Sequence, residues 1–304
     1  MDANSRIITL GDSVSWGQGL LPPHKFACLV ANSIGASISG SDFILAHSGA
    51  IIGVSKPDPT SSINPEIPAP APMIINQLSQ VQAPDTVDLV LLTGGINDVN
   101  ITTIFDPFTT LRYLHELTQQ ACYSDMKSLL AKVLSTFTKP TVQIRVVGYY
   151  PVVSPVSNPL PGPAGDPLVH LLGNFGLGFP QTLERNIVLG ALSARAMQFW
   201  TDSNNFLQQA VDESSKGNAE RLAFVKTPFT PDNALFTPNS FLWGFAQDLG
   251  PEDEVAAQRE AACAVQYPPL TEFFANELCH LASIGHPNVA GAQAISQAIL
   301  ASLS

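Results

Sequence analysis

One unit recurs along this chain and constrains its fold more than any other feature. A short apolar run ends abruptly in small polar residues, and a stretch with apolar side chains at helical spacing follows. The runs are Arg6–Leu10, Phe43–Ala46, Val87–Thr93, Val142–Gly148 and Arg221–Val225. They are too short for helices and mostly lack alternation, which fits strands buried on both faces. Helical patterns cover Lys25–Ile34, Pro72–Gln82, Leu111–Phe137, Thr182–Ser214 and Val289–Leu303. Strands alternating with helices are the pattern of a parallel sheet covered on both sides. The spacing therefore predicts an α/β fold with five parallel strands, and the units fill residues 1–304 as one doubly wound domain.

Three stretches interrupt the rhythm, near 55–72, 151–180 and 238–269, and are expected to be loop insertions. The first holds six prolines and few apolar residues. The second is rich in Pro and Gly yet also in Leu and Phe, a composition that argues against disorder and for a wall of an apolar pocket. Its Phe175 and Phe179, with Trp16 nearer the N-terminus, are the candidate substrate-binding aromatics; packing in a satellite core is the competing reading for each.

Composition removes several classes of function. The formal net charge of −11 repels phosphate backbones, so nucleic acid is not an expected partner. No run of about 18 apolar residues passes without Pro or polar breaks, so no membrane span is expected. Cys28, Cys122, Cys263 and Cys279 form no CxxC and do not cluster with histidines, so no metal and no cofactor is expected. Two disulfides fit the even count, with buried free thiols as the alternative. Few lysines and 25 prolines favour a secreted or periplasmic protein, with the cytoplasm as the alternative, although Met1–Ser5 begins no signal peptide.

In a parallel α/β sheet, ligands bind beyond the carboxyl ends of the strands. The residues that follow the first three runs are Gly11-Asp12-Ser13, His47-Ser48-Gly49 and Gly95-Ile96-Asn97-Asp98, and His286 stands just ahead of the last helical pattern. Each motif alone reads as a turn or a cap. Together they bring a hydroxyl, a glycine amide, a side-chain amide and an imidazole to one end of one sheet. Those are the parts of acyl transfer: nucleophile, oxyanion donors and general base.

This ordered set resembles the SGNH hydrolases, also called GDSL esterases and lipases, over nearly the whole chain. The resemblance implies a flavodoxin-like, three-layer α/β/α sandwich. It also implies Ser13 as nucleophile and His286 as general base. The amides of Ser13 and Gly49 and the side chain of Asn97 would form the oxyanion hole. One position departs from the pattern. Members commonly carry Asp three residues before the histidine, where this chain has Ser283. Some relatives use a Ser-His dyad whose imidazole Nδ1–H is accepted by a main-chain carbonyl, and the backbone carbonyl of Ser283 is the candidate by position. A more distant acid, Glu272 or Glu277, is the rival. The implied activity is hydrolysis of a small-molecule or lipid ester, with an acyl chain the expected substrate. The alternatives are a carbohydrate acetylesterase, a thioesterase, an acyltransferase, or a non-catalytic binding protein on the same scaffold. Oligomeric state is open, with a monomer compatible.

Overall fold

The computed structural model describes residues 5–36, 43–53, 63–174, 177 and 184–303. Four parallel strands form the sheet: β1 (Ile7–Leu10), β2 (Leu89–Leu92), β3 (Gln143–Val147) and β4 (Leu222–Val225), in the order β1-β2-β3-β4. Every residue of β1 and β2 is buried, as expected of strands covered on both faces.

The face assignment follows from β3. The Arg145 guanidinium donates to the carbonyl of Ser302, beyond the C-terminal Val289–Ala301 helix. Gly148, three positions along and so directed oppositely, packs against Asn204 of the long Arg185–Ser215 helix. Phe26–Ser33 packs with Val289–Ala301 on one side, and Leu111–Gln119 and Met126–Thr136 pack with Arg185–Ser215 on the other. Helix, sheet and helix thus form three layers.

Among the described residues, four strands stand where the sequence predicts five. The run Phe43–Ala46 lies beside β1, but it pairs only at Thr9 with Ile44. Thr9 donates to Phe43 and accepts from Leu45, at 2.8 and 2.9 Å. The chain then turns at His47 to bond Ser48 with Pro65 and Ala69, and that turn ends the pairing after one bridge. Its position still matters. The chain adds a neighbour first on one side of β1 and later, with β2, on the other. The carboxyl end of β1 is therefore a topological switch point, where open α/β sheets hold ligands.

Within the described residues, the second and third insertions hold helices that the sequence reading does not mark. The second contains a helix, Pro167–Asn174, and the third contains Ala256–Gln266. A further helix, Phe273–His280, follows, and the Cys263–Cys279 disulfide ties the two together. Closing a loop of 16 residues contributes about 3 kcal/mol by restricting the unfolded chain. The two-disulfide expectation is corrected: Cys28 and Cys122 are buried free thiols on separate helical segments. The predicted helix Leu111–Phe137 is continuous but wider-wound at Gln120–Asp125, where the Cys122 sulfur closes on Gly95.

Candidate active site

Ser13 begins a single helical turn, Ser13–Trp16, immediately after β1. Asp12 caps that turn by accepting from Val14 N–H at 3.0 Å. The Asp12 carboxylate also accepts from Thr93 Oγ1 at 2.7 Å and from the Tyr149 hydroxyl at 2.6 Å. Burial pushes its carboxyl above the ordinary aspartate range, and these three donors pull it back in part. Asp12 is therefore the keystone of the turn, in line with a shaping role. Gln77, also buried, clamps both backbone groups of Gly11, at 2.8 and 2.9 Å. Nothing in the sequence pattern marks Gln77 for this task.

Asn97 lies in the turn Ile96–Val99 just beyond β2. The same Tyr149 oxygen that bonds Asp12 accepts from Ile96 N–H at 3.1 Å, so one phenol joins the two strand-end turns. Asn97 Nδ2 donates to the carbonyl of Ala50 at 3.0 Å, which ties it to the Gly49 loop. Asp98 reinforces that tie by accepting from Ile52 N–H at 3.0 Å. Burial raises the Asp98 carboxyl to about 7. Gly49 has φ of +79°, and a Cβ there would come within 2.5 Å of the Ala69 nitrogen, so only glycine fits. The backbone N–H groups of Ser13 and Gly49 have no acceptor among the described residues.

His286 reaches the site from outside the sheet. Trp243 brackets it, donating to the His286 carbonyl at 2.8 Å and accepting from Gly285 N–H at 3.0 Å. Asn288 then caps the last helix by accepting from Gly291 N–H at 3.0 Å. The result is a contact of 2.7 Å between His286 Nε2 and Ser13 Oγ. Burial above all, aided by nearby Arg259, lowers the imidazole pKa to about 4. The carbonyls of Ser283 and Ala282 and the Asp253 carboxylate act the other way. The Ser283 carbonyl accepts the backbone N–H of His286 at 2.9 Å. Nδ1 is buried and has no hydrogen-bond partner among the described residues.

Ser13, Gly49, Asn97 and His286 all line one cavity of about 370 Å³. The rest of its wall is mainly apolar, including Val14, Ile96, Ile101, Phe105, Val152, Leu171 and Leu278. Each insertion contributes, through Pro68, through Val152 and Leu171, and through Tyr267, and Cys279 joins them just past the third. Trp16 does not line the cavity. Its indole N–H donates to Glu66 at 2.8 Å, and the Lys25 ammonium lies over its ring. Phe175 and Phe179 lie outside the described residues. Glu272 is exposed, and no contact joins it or Glu277 to His286.

The acid nearest His286 in effect is one the sequence reading missed. Asp253 accepts from Ser283 Oγ at 2.5 Å and forms a fully buried ion pair with Arg259. It lies in the third insertion, within Glu252-Asp253-Glu254, and no spacing or periodicity relates it to the histidine. No group of His, Cys, Asp and Glu suited to a metal ion occurs among the described residues, and no described helix is long and apolar enough to cross a membrane.

No family model and no curated protein matches the chain. Among solved structures it is similar to phospholipase A1 from Streptomyces albidoflavus NA297, at 14% identity and a TM-score of 0.51, with 99% of this chain and 100% of that one covered. The lipase Lip_vut3 from a goat rumen metagenome aligns at 14% identity and a TM-score of 0.47, covering 98% and 97% of the two chains. At such identities the likeness is one of fold: a parallel α/β sheet flanked by helices.

Proposed function

We propose that this chain is a serine esterase of the SGNH type that hydrolyses carboxylic esters with an aliphatic acyl group. The observation that carries the proposal is the 2.7 Å contact of His286 Nε2 with Ser13 Oγ, made in the wall of an apolar cavity. An imidazole whose pKa is about 4 is neutral at ordinary pH and ready to accept a proton. As Ser13 Oγ bonds to the ester carbon, its proton passes to His286 Nε2. The carbonyl oxygen becomes an oxyanion, for which the free N–H groups of Ser13 and Gly49 and the Asn97 amide are the proposed donors. Collapse breaks the bond to the alcohol, which leaves with the proton from His286. Water, deprotonated by the same imidazole, then releases the acid from the acyl-enzyme.

The Ser283 carbonyl is the proposed main-chain support of the imidazole. It favours the protonated ring that forms during attack, as the direction of its effect on His286 indicates. The predominantly aliphatic wall supports an acyl chain over an acetyl group on a sugar, because burying each methylene contributes about 0.8 kcal/mol. A series of p-nitrophenyl esters from acetate to palmitate tests this reading. Turnover that rises beyond acetate and ceases in Ser13→Ala is the expected result. Equal turnover by the variant, or a strict preference for acetate, would contradict it.

A further inference from the structure

The buried groups behind His286 form a network that the proposed chemistry does not yet use. Arg259 is its centre, with no exposed side-chain surface. Its guanidinium pairs with both Asp253 oxygens, at 2.5 and 3.1 Å, and donates to Ser283 Oγ at 3.1 Å. The Ser283 hydroxyl in turn donates to Asp253 at 2.5 Å. On the other side, Arg259 reaches Glu66 at 3.4 Å, and Glu66 accepts from the Trp16 indole at 2.8 Å. Trp16 ends the helical turn that begins with Ser13. One buried guanidinium thus joins the backbone that carries His286 to the turn that carries Ser13.

Burying such a pair is costly, and apolar side chains of similar volume would commonly stabilise a fold as well or better. Its direction therefore matters more than its presence. We infer that Asp253 is a positioning residue for His286, acting through the Ser283 hydroxyl in place of an acid at position 283. Two consequences follow from the geometry. Clamping Ser283 from two sides fixes the 283–286 turn, whose carbonyl at Ser283 accepts the backbone N–H of His286. The Asp253 carboxylate also favours positive charge on the imidazole, against the opposing charge of Arg259. Of the other charged groups in this region, Glu66 lies beyond Arg259, and Lys25 stacks on Trp16. A carboxylate is thus held one hydroxyl away from position 283, at the start of the turn that carries His286.

This inference rests on the esterase reading, and the test separates the two. Ser283→Ala removes the hydroxyl and leaves the ion pair intact, so folding is preserved. Its kcat should fall about tenfold with KM little changed, the split expected when support exists mainly in the transition state. Asp253→Asn should lower kcat by roughly 10–100-fold, less than the ~10⁴-fold cost of losing a directly bonded triad acid. It should also move the acid limb of kcat/KM to lower pH, because a group that raises the imidazole pKa has been removed. A merely structural pin would not move that limb. The two substitutions combined should cost less than their product, since they cut one connection. The exchange Asp253→Ser with Ser283→Asp should recover much of the loss. Wild-type kcat in Ser283→Ala together with an unchanged pH profile in Asp253→Asn, with the wild type active, would overturn this inference alone. A wild type that neither hydrolyses esters nor reacts with a fluorophosphonate would overturn both.

Discussion

Ser13 and Asn97 stand directly beyond the ends of β1 and β2, whereas His286 stands on no strand at all. The first pair inherits its position from the sheet. Parallel pairing of Thr9 with Leu91 and of Leu10 with Leu92 sets the two strand ends side by side, and Tyr149 then locks their turns together. The histidine is placed by inserted segments instead. Trp243 backbone bonds, the Arg259–Asp253 pair and the Cys263–Cys279 disulfide hold its surroundings. A sheet fixes geometry by a repeating ladder that tolerates many side chains. An insertion must fix it by particular polar contacts, each of which can be lost singly. The side that presents the proposed nucleophile is therefore robust, and the side that presents the proposed base is specific.

That contrast can be broken at either side. On the sheet side, Asn97→Ala removes a side chain and leaves the strands untouched. If its amide holds the oxyanion, kcat should fall by roughly 10²–10³-fold, or about 3–4 kcal/mol, while thermal stability changes little. A change of only two- or threefold in steady-state kinetics would reduce Asn97 to a tie on the Ala50 carbonyl. On the insertion side, the burial of His286 has a smaller but diagnostic signature. With its pKa lowered to about 4, the imidazole remains an unprotonated base well into mild acid. The acid limb of kcat/KM should accordingly lie near pH 4 rather than at the ordinary histidine value of about 6.5. A limb at the ordinary value would mean that water reaches the ring and that the insertions do not seal it. The sign for stability is separate: the unfolded chain binds a proton that the folded His286 refuses. Its burial therefore opposes folding below the ordinary value, and stability gains with rising pH between about 4 and 6.5.

The same division explains what the amino-acid sequence makes legible. Apolar runs of strand length locate β1 to β4, and the switch from apolar to small polar residues marks Ser13 and Asn97 because both follow a strand directly. Phe43–Ala46 has the composition of a strand but becomes a single bridge. The turn at His47 that brings Gly49 to Ala69 draws the chain away from β1. That competition between a turn and a ladder leaves no mark on residue pattern. The Pro167–Asn174 helix is hidden by the Pro and Gly around it, although Pro at a first helical position is compatible with the start of a helix. Trp16 follows Ser13 by three residues, yet its indole turns to Glu66 rather than to the cavity. Asp253 and Arg259 are the least legible of all. Their contacts with Ser283 span 30 and 24 residues, across a stretch that holds the Ala256–Gln266 and Phe273–His280 helices, and no period relates them.

The central claim is that Ser13 is activated by His286, and a fluorophosphonate reagent tests it most directly, because stoichiometric labelling requires an activated serine. The modified peptide is then identified by mass spectrometry in the wild type, in His286→Ala and in Ser13→Ala. The account predicts one adduct on Ser13 in the wild type, slow or absent labelling in His286→Ala, and none in Ser13→Ala. An unlabelled wild type, or an adduct on another residue, would contradict it.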